Sequence, residues 1–274
     1  MINYSVLMSV YYKDRKDYLC LSIDSILNQT HKPDQFVIVF DGPVSDELEG
    51  TVQEYSKRAP GLFTIVKLEK NCGLPTALNE GLKVCRNNLV ARMDSDDYSL
   101  PQRCERQIVE FEKRPDLALI GTDTQYFTRT IEDVSPTVHA HPYTEGEIIK
   151  ELRRNSPFGH PTVMFKKDVV DACGGYDPIL TRSQDYDLFS KIIYNGHAAC
   201  NLPEVLLYYR TGENMMRRNK SRESCKARII IQKRIFKRKQ CSLWDVIYID
   251  LAMIVSMILP VSAYERIYKI IKKG

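Results

Sequence analysis

The chain is predicted to be an α/β protein built on a mostly parallel sheet. Short apolar runs typical of strands alternate with runs of helical spacing over the first ~100 residues, a pattern that favours helices on both faces of a parallel sheet. At 274 residues there is room for one large domain with an appendage, or for two small domains. A composition of 43% hydrophobic and 27% charged residues excludes a disordered chain and an integral membrane bundle.

Each element follows from a local pattern. Apolar runs rich in β-branched residues predict strands at Tyr4–Ser9, Phe36–Phe40, Leu62–Leu68, Leu89–Met93, Leu117–Phe127, Thr162–Phe165 and Val205–Tyr209. Apolar residues at helical spacing predict helices at Tyr18–Asn28, Ser45–Ala59, Leu74–Cys85 and Asp185–Asn195, with shorter helices beginning near Leu100 and Lys167. Ligands of such sheets bind at the carboxyl ends of the strands, so residues that follow the strands are the candidate site.

The C-terminal region has a different character. Residues 217–239 contain eleven Lys or Arg and a single acid, Glu223, so this segment carries +10 and the rest of the chain 4 − 10 = −6. A block of this kind is typical of a surface for anionic lipid or nucleic acid. Leu243–Leu259 is apolar apart from Asp245 and Asp250, and at ~17 residues it is short for a membrane span.

With Lys269, Lys272 and Lys273 beyond it, the apolar segment resembles an interfacial membrane anchor. The alternative is that it packs on the rest of the protein or forms a dimer contact. The eight cysteines include no C-x-x-C pair, and no secretory leader opens the sequence, so we expect free thiols and a cytoplasmic protein.

The most informative motif is the run Arg92-Met93-Asp94-Ser95-Asp96-Asp97, which ends a predicted strand. Three carboxylates in four residues repel one another, and Mg²⁺ or Mn²⁺ is the kind of cation that prefers oxygen ligands and shares them with phosphates. A solvated acidic turn before a helix is the alternative interpretation. Asp41 also ends a strand, so the two acidic sites are expected to meet at one crevice.

Two further clusters are ambiguous when taken alone. Asp185 follows a glycine turn and lies near a helix start, where it can serve as a general base or simply as a carboxylate that favours the helix dipole. His160 lies on a predicted loop, where a structural role is the more common one. The absence of G-x-G-x-x-G after the first strand argues against a dinucleotide-binding protein.

In combination, the motifs resemble those of family 2 glycosyltransferases with the GT-A fold. The ordered signature, which spans about residues 4–210, consists of 5-SVLMSVY-11, 25-SILNQT-30, 37-VIVFDG-42, Asn71-x-Gly73, Asn79-x-Gly81, Arg92-x-Asp94-x-Asp96-Asp97 and Pro101-x-Arg103. By this resemblance residues 1–212 form the catalytic domain, with a nucleotide-sugar half (1–116) and an acceptor half (117–212). Residues 213–274 form a basic helical tail that associates with a membrane.

The resemblance also implies roles for individual residues. Asp185 becomes the base that deprotonates the acceptor hydroxyl, and Mn²⁺ or Mg²⁺ is held by Asp94, Asp96 and Asp97. The implied nucleotide-sugar residues are Ser9, Tyr11, Asp41, Asn71, Gly73, Asn79, Arg92, Asp94 and Ser95. The implied sugar and acceptor pocket consists of His160, Gly175, Tyr176, Asp177 and Gln184.

Two departures from the family pattern stand out. Gln184 replaces the glutamate that usually precedes the base, and no histidine follows Tyr209-Arg210. Arg217 and Arg218 are the predicted substitutes for that histidine in neutralising the leaving diphosphate, because guanidinium binds phosphate oxygens bidentately.

The implied activity is inverting transfer of a sugar from a UDP-sugar to a hydroxyl of a saccharide, expected to be lipid-linked, at the inner face of a bacterial cell membrane. The tail and the segment after Tyr209 are most similar to enzymes of exopolysaccharide and capsule assembly, such as the amylovoran glycosyltransferases. A nucleic-acid partner is not expected, and the sequence does not indicate an oligomeric state. The rival hypotheses are a degenerate binding protein and an aspartyl-phosphate phosphatase with Asp94 as nucleophile.

Overall fold

The computed structural model describes residues 2–212 and 221–259. Its strands are β1 Tyr4–Val10, β2 Gln35–Phe40, β3 Phe63–Lys67, β4 Leu89–Met93, β5 Tyr98–Ser99, β6 Leu117–Phe127, β7 Val138–His139, β8 Met164–Lys166 and β9 Ala198–Arg210. Its helices are α1 Lys16–Leu27, α2 Asp46–Arg58, α3 Leu74–Val84, α4 Arg103–Lys113, α5 Glu145–Leu152, α6 Lys167–Ala172, α7 Gln184–Tyr194, α8 Arg222–Lys237 and α9 Leu243–Ile258. A 3-10 turn covers His160–Thr162.

The strands form one sheet in the order β3-β2-β1-β4-β8-β6-β9-β5, with β7 paired to β6. The run β3-β2-β1-β4 is parallel, and so is the long β6–β9 pair. The antiparallel pairs, such as β4–β8 and β5–β9, are short. The predicted α/β class with a mostly parallel sheet is therefore confirmed.

The sheet is buried on both faces, as its nearly continuous apolar strands require. Val6 and Met8 of β1 belong to one core, together with residues of α1, α2 and α4. Leu7, which points to the opposite face, packs in a second core that includes Ala77 and Leu78 of α3. Two separate cores thus fix the sheet between layers of helices.

The parallel register brings the two acidic sites to the same edge of the sheet. Val10 of β1 pairs with Phe40 of β2, and Met8 of β1 pairs with Met93 of β4. Asp41 and Asp94 therefore follow the two strands that flank β1, at their carboxyl ends. The expected convergence on one crevice agrees with this topology.

The second half differs from expectation in three places. The last strand begins at Ala198, seven residues earlier than Val205, because β9 pairs with almost the whole of β6 across irregular register shifts. Helix α5 was not predicted, although Thr144 and Glu147 form a capping box at its start. His160, predicted to lie on a loop, is the first residue of the 3-10 turn and is buried.

The C-terminal helix α8 packs against α7. Asp187 of α7 is buried and is paired with Arg234 at 3.2 Å and with Arg238 at 2.8 Å. Arg234 also contacts Asp177 at 2.7 Å. The expectation that the basic block is a surface is thus wrong for these two arginines, because buried carboxylates draw them inward.

The outer side of this region has a distinct pattern. Arg222, Lys226, Lys233 and Lys237 of α8 are exposed. Large apolar side chains are exposed along α9, among them Trp244 at 77%, Leu251 at 58% and Ile258 at 76%. None of the helices in 2–212 and 221–259 has the length and apolar character needed to cross a bilayer.

We expect the packing of α3 on the sheet to tolerate no side chain at Gly81. A Cβ there would lie 2.3 Å from Leu7 Cδ1 and 2.8 Å from Val39 Cγ2, so Gly81→Ala should lower the free energy of unfolding by about 1–3 kcal/mol. Urea unfolding measures the effect. Gly50→Ala in α2 is the matched control, because a Cβ there has no heavy atom within 4 Å, and it should leave stability equal or higher. Equal stability of both variants would contradict the packing.

Candidate active site

The site is built around the acidic loop that follows β4. Carboxylate oxygens of Asp94, Asp96 and Asp97 all lie within 4.8 Å of one another. Asp97 is fully buried, whereas Asp94 and Asp96 are partly exposed. Ser22 of α1 supports the loop by donating to the Asp94 carbonyl at 2.7 Å. The loop thus presents two accessible carboxylates above one buried carboxylate.

Two buried arginines hold this loop. Arg92 of β4 is 1% exposed and pairs with the Asp94 carboxylate. Arg210, at the end of β9, donates its backbone N–H to Asp97 at 2.8 Å and its Nε to the Asp96 carbonyl at 2.7 Å. The Arg210 guanidinium also stacks over Tyr18 and Phe127. This residue, which the sequence interpretation passed over, ties the second half of the sheet to the acidic loop.

The chemistry of the loop suits a divalent cation. Burial, followed by the Asp96 and Asp94 charges, raises the pKa of Asp97 well above its ordinary value. Its Oδ2 atom is buried and has no hydrogen-bond partner among the described residues. Closely spaced carboxylate oxygens with an unsatisfied member fit Mn²⁺ or Mg²⁺, since a hard cation would offset the repulsion.

Asp14 is a fourth carboxylate at the site that the sequence interpretation missed. It accepts hydrogen bonds from Ser95 Oγ at 2.8 Å and from the Tyr11 backbone N–H at 3.1 Å. Burial raises the pKa of Asp14 to about 7, and the Asp96 and Asp94 charges add to the shift. No local pattern identifies Asp14, because its partner Ser95 is 81 residues away.

On the other side of β1, Asp41 organises the loop before α3. Its carboxylate accepts the backbone N–H groups of Cys72 at 2.7 Å and Gly73 at 3.0 Å, and Asn71 donates to its carbonyl. Gly73 has a φ of 86°, which favours glycine. These three predicted nucleotide-sugar residues therefore form one connected unit at the end of β2.

A second unit joins the two halves of the domain. The Asn79 side chain donates to the Tyr176 carbonyl at 2.7 Å and accepts from the Tyr176 N–H at 2.9 Å. A Cβ on Gly175 would lie 2.8 Å from Asn79 Oδ1, so the turn needs glycine. The Tyr176 hydroxyl in turn contacts His160 Nε2 at 2.9 Å.

Arg92 is the group that these residues have in common. Burial and the Arg92 charge hold the pKa of His160 well below its ordinary value, so the imidazole is neutral at pH 7. Arg92 also interacts electrostatically with Tyr176 and Asp185. Its Nε and Nη1 atoms are buried and have no hydrogen-bond partner among the described residues. An oxygen-rich ligand in the crevice would satisfy them.

The predicted base, Asp185, lies in the first turn of α7. Burial raises its pKa, while the Tyr186 backbone N–H and the Arg92 charge oppose the shift. Ser183, at the N-cap position before the helix, has a φ of 57°, an uncommon left-handed conformation for a residue other than glycine. Gln184 is buried, and its Oε1 has no partner among the described residues. The turn is thus shaped to aim Asp185 and Gln184 inward.

The remaining predicted residues have less direct placements. Ser9 and Tyr11 lie at the end of β1 between the two acidic sites. The Asp177 carboxylate accepts a hydrogen bond from the Ile179 N–H at 2.9 Å and forms an ion pair with Arg234. Arg217 and Arg218 lie outside the described residues.

The raised pKa of Asp14 should make the stability of the metal-free protein depend on pH. The folded protein holds a proton on Asp14 up to about pH 7, whereas the unfolded chain releases it near 3.8, so this carboxyl makes folding less favourable as pH rises between those values. In EDTA, Asp14→Asn should therefore gain stability relative to wild type between pH 5 and pH 8. Urea unfolding measures it. Asp116→Asn, which changes a side chain that is 68% exposed, should give no such trend.

Comparison with known proteins agrees with the fold and the site. Residues 5–174 match the family model for glycosyl transferase family 2. The chain is 34% identical to an amylovoran biosynthesis glycosyltransferase of Erwinia amylovora, over 99% of this chain and 100% of that protein. It is 31% identical to a UDP-Gal:α-D-GlcNAc-diphosphoundecaprenol β-1,3-galactosyltransferase of Escherichia coli, over 97% and 95%.

Among solved structures, a mannosyltransferase from Pyrobaculum calidifontis in complex with GDP-Man and Mn²⁺ superposes with a TM-score of 0.62 at 16% identity, covering 99% of this chain and 81% of that one. At this identity the likeness concerns the fold alone. The protein is a glycosyltransferase with the GT-A fold, and it belongs to glycosyl transferase family 2.

Proposed function

We propose that this protein is a metal-dependent, inverting glycosyltransferase that moves a sugar from a UDP-sugar to a hydroxyl of a lipid-linked saccharide in bacterial cell-surface polysaccharide synthesis. The observation that carries the proposal is the cluster of Asp94, Asp96 and Asp97 at the carboxyl edge of the sheet, joined through Arg92 to Asp185. The three clustered carboxylates suit a metal ion bound to a diphosphate, and the separate Asp185 carboxylate suits a general base.

The donor half would bind the nucleotide between the Asp41 unit and the acidic loop. Asp96, with Asp94 and Asp97, would hold Mn²⁺ or Mg²⁺, and the bound cation would stabilise charge on the leaving diphosphate. The UDP-Gal in the name of the Escherichia coli relative and the Mn²⁺ of the Pyrobaculum structure support this assignment. Arg92, with two unsatisfied nitrogens, would donate to oxygens of the donor.

The acceptor half would supply the base. Asp185 takes the proton from the acceptor hydroxyl while that oxygen attacks the anomeric carbon from the face opposite UDP, which inverts the configuration. A pKa raised by burial strengthens Asp185 as a base. Neutral His160 fixes the Tyr176 hydroxyl, which shapes the pocket wall.

The C-terminal helices would keep the enzyme at an anionic membrane. The exposed apolar row of α9, next to the exposed Lys226, Lys233 and Lys237 of α8, matches the chemistry of a lipid interface. A lipid-linked acceptor, as named for the Escherichia coli relative, would be concentrated on the same surface. The proposed location is therefore the inner face of the cell membrane, with peripheral attachment.

Two other functions have weaker support. A non-catalytic binding protein is suggested by Gln184 in place of the usual glutamate, but Asp185 is present at the site. A phosphatase with Asp94 as nucleophile would need that aspartate after the first strand, whereas it follows β4 and is paired with Arg92.

Calorimetric titration of UDP tests the donor site. Wild type should bind UDP in Mn²⁺ and lose most of the affinity in EDTA, and Asp96→Asn should remove the metal-dependent part. Asp185→Asn is the matched variant: it should bind UDP as wild type does but lose transfer by about a hundredfold or more, because only proton removal is affected. Metal-independent UDP binding by wild type, or full activity of Asp185→Asn, would contradict the assignment.

Sedimentation with phosphatidylglycerol vesicles tests the membrane surface. Leu251→Glu should lower binding at least about tenfold, because the exposed leucine would be buried in lipid on binding, and this burial is worth about 1.5–3 kcal/mol. Raising the salt concentration should also weaken binding. Ile179→Glu is the control, because Ile179 is 79% exposed on the catalytic domain. If both variants bind equally well, α9 is not the attachment surface.

A further inference from the structure

A buried aspartate interrupts the apolar helix α9, and its partners form a cationic cluster. Asp245 is 0% exposed, and its carboxylate accepts from Arg154 Nε at 2.7 Å and from Arg153 Nε and Nη2 at 3.1 and 2.9 Å. Ser242 adds bonds at 2.9 and 2.7 Å from its N–H and hydroxyl. The aspartate thus fixes two guanidinium groups that are still 46% and 49% exposed.

The cluster retains positive charge after these pairs are counted. Arg228 lies next to it: its guanidinium donates to Gln232, which donates to the Arg153 carbonyl. When Arg153, Arg154 and Arg228 are counted against Asp245 and Glu151, whose charges act on the neighbouring Cys241 and Tyr186, the net charge is +1. The Asp245 bonds engage only one nitrogen of Arg154, so its remaining N–H groups are available to an anion.

The cluster contacts the apolar face of α9 and is linked through Tyr186 to the segment that carries Asp185. The Arg154 guanidinium stacks over Tyr248, which belongs to the exposed row of α9, at 4.7 Å. On the inner side, the Tyr186 hydroxyl donates to the Leu152 carbonyl at 2.6 Å. Tyr186 follows Asp185, so covalent geometry keeps the Cα atoms of Arg153 and Asp185 within about 15 Å.

A cavity of about 400 Å³ opens along the same helix α5. Its lining includes Tyr143, Glu147, Lys150 and Glu151, and also His141, whose ring lies against Gly159 just before His160. A polar cavity of this size is in the range of sites for small molecules. Its lining residue Glu151 is two positions before Arg153 in the chain, so the cavity begins close to the arginine cluster, and its volume has room for sugar residues.

We infer that Arg153 and Arg154, supported by Arg228, bind the diphosphate of a polyisoprenyl-diphosphate acceptor, with its lipid chain along α9 and its saccharide directed along α5 toward Asp185. This inference rests on the proposed function and specifies how the acceptor is recognised. Guanidinium pairs are suited to diphosphate oxygens, and pre-orientation by a buried carboxylate lowers the entropy lost on binding.

Titration with geranyl diphosphate in EDTA tests the site, because chelation removes metal-dependent binding at the acidic loop. Trp244, the single tryptophan and the neighbour of Asp245, reports binding by fluorescence, and calorimetry provides a second measure. Wild type should bind geranyl diphosphate at least about tenfold more tightly than geraniol. Arg154→Gln should lose most of this difference, and Arg154→Lys should recover part of it because the charge is kept.

Arg154→Gln leaves Asp245 paired with Arg153 and Ser242, so the fold should be retained, and a thermal melt checks this. Lys233→Gln is the matched control: it removes one exposed charge from α8 and should not alter diphosphate binding. Equal affinity of wild type and Arg154→Gln for geranyl diphosphate would overturn the inference. So would a loss confined to phosphatidylglycerol vesicles, since it would assign Arg154 to general lipid attachment.

Titration of UDP with Mn²⁺ keeps the two proposals distinguishable. Arg154→Gln should bind UDP as wild type does. Failure of wild type to bind UDP would refute the donor site while selective binding of geranyl diphosphate still supported the arginine cluster.

Discussion

The mutual repulsion of three carboxylates after β4 is the constraint on which the arrangement of this protein depends. At 4.8 Å, two unit charges in a medium of effective dielectric ~20 repel by about 3 kcal/mol, and Asp97 has in addition been taken out of water. The buried Arg92 and Arg210 offset part of this energy, and the raised pKa of Asp97 favours a proton on that carboxyl group. A bound cation, as proposed for this loop, would offset the remaining repulsion, which otherwise lowers the stability of the folded protein.

The two arginines also explain how distant parts of the chain come together. Arg210 ends β9 and holds the acidic loop of β4 through its backbone N–H and its Nε, so the second half of the sheet cannot shift without disturbing the loop. Arg92 acts in the opposite direction, from β4 toward His160 and Tyr176. The same two arginines thus offset the charge of the acidic loop and interact with residues of the second half of the sheet and of the 3-10 turn.

Local patterns predicted the first half of the fold well because each element there carries its own signal. Strands β1 to β4 are apolar runs, and α1 to α3 have helical spacing, so boundaries agree within a few residues. β9 begins earlier than predicted because Asn201 and Pro203 interrupt the apolar run, while its partner β6 supplies the hydrogen bonds. Helix α5 had a signal, the Thr144–Glu147 capping box, that a search for apolar periodicity does not detect.

The sequence predicted those site residues that are neighbours along the chain, and it did not predict those that only the fold brings together. Asp94, Asp96 and Asp97 form one motif, whereas Asp14 and Arg210 join them only through tertiary contacts. For a related reason, the net charge of residues 217–239 did not predict where the side chains of Arg234 and Arg238 lie. Composition gives the number of arginines in residues 217–239, but the buried Asp187 decides that Arg234 and Arg238 turn inward.

Helix α9 differs from an ordinary surface helix because it carries apolar side chains on both sides: Val246 and Ile249 are buried, and a further row is exposed. Its inner side is anchored by the ion pairs and hydrogen bonds of Asp245, while its outer side carries Trp244, Leu251 and Ile258. In water, such an exposed row gains nothing from the hydrophobic effect and favours association. The ion pairs of Asp245 hold the start of this helix to Arg153 and Arg154 without using its exposed apolar side chains. A helix held in this way can present its exposed apolar side chains to a membrane while its polar contacts with the rest of the protein are kept.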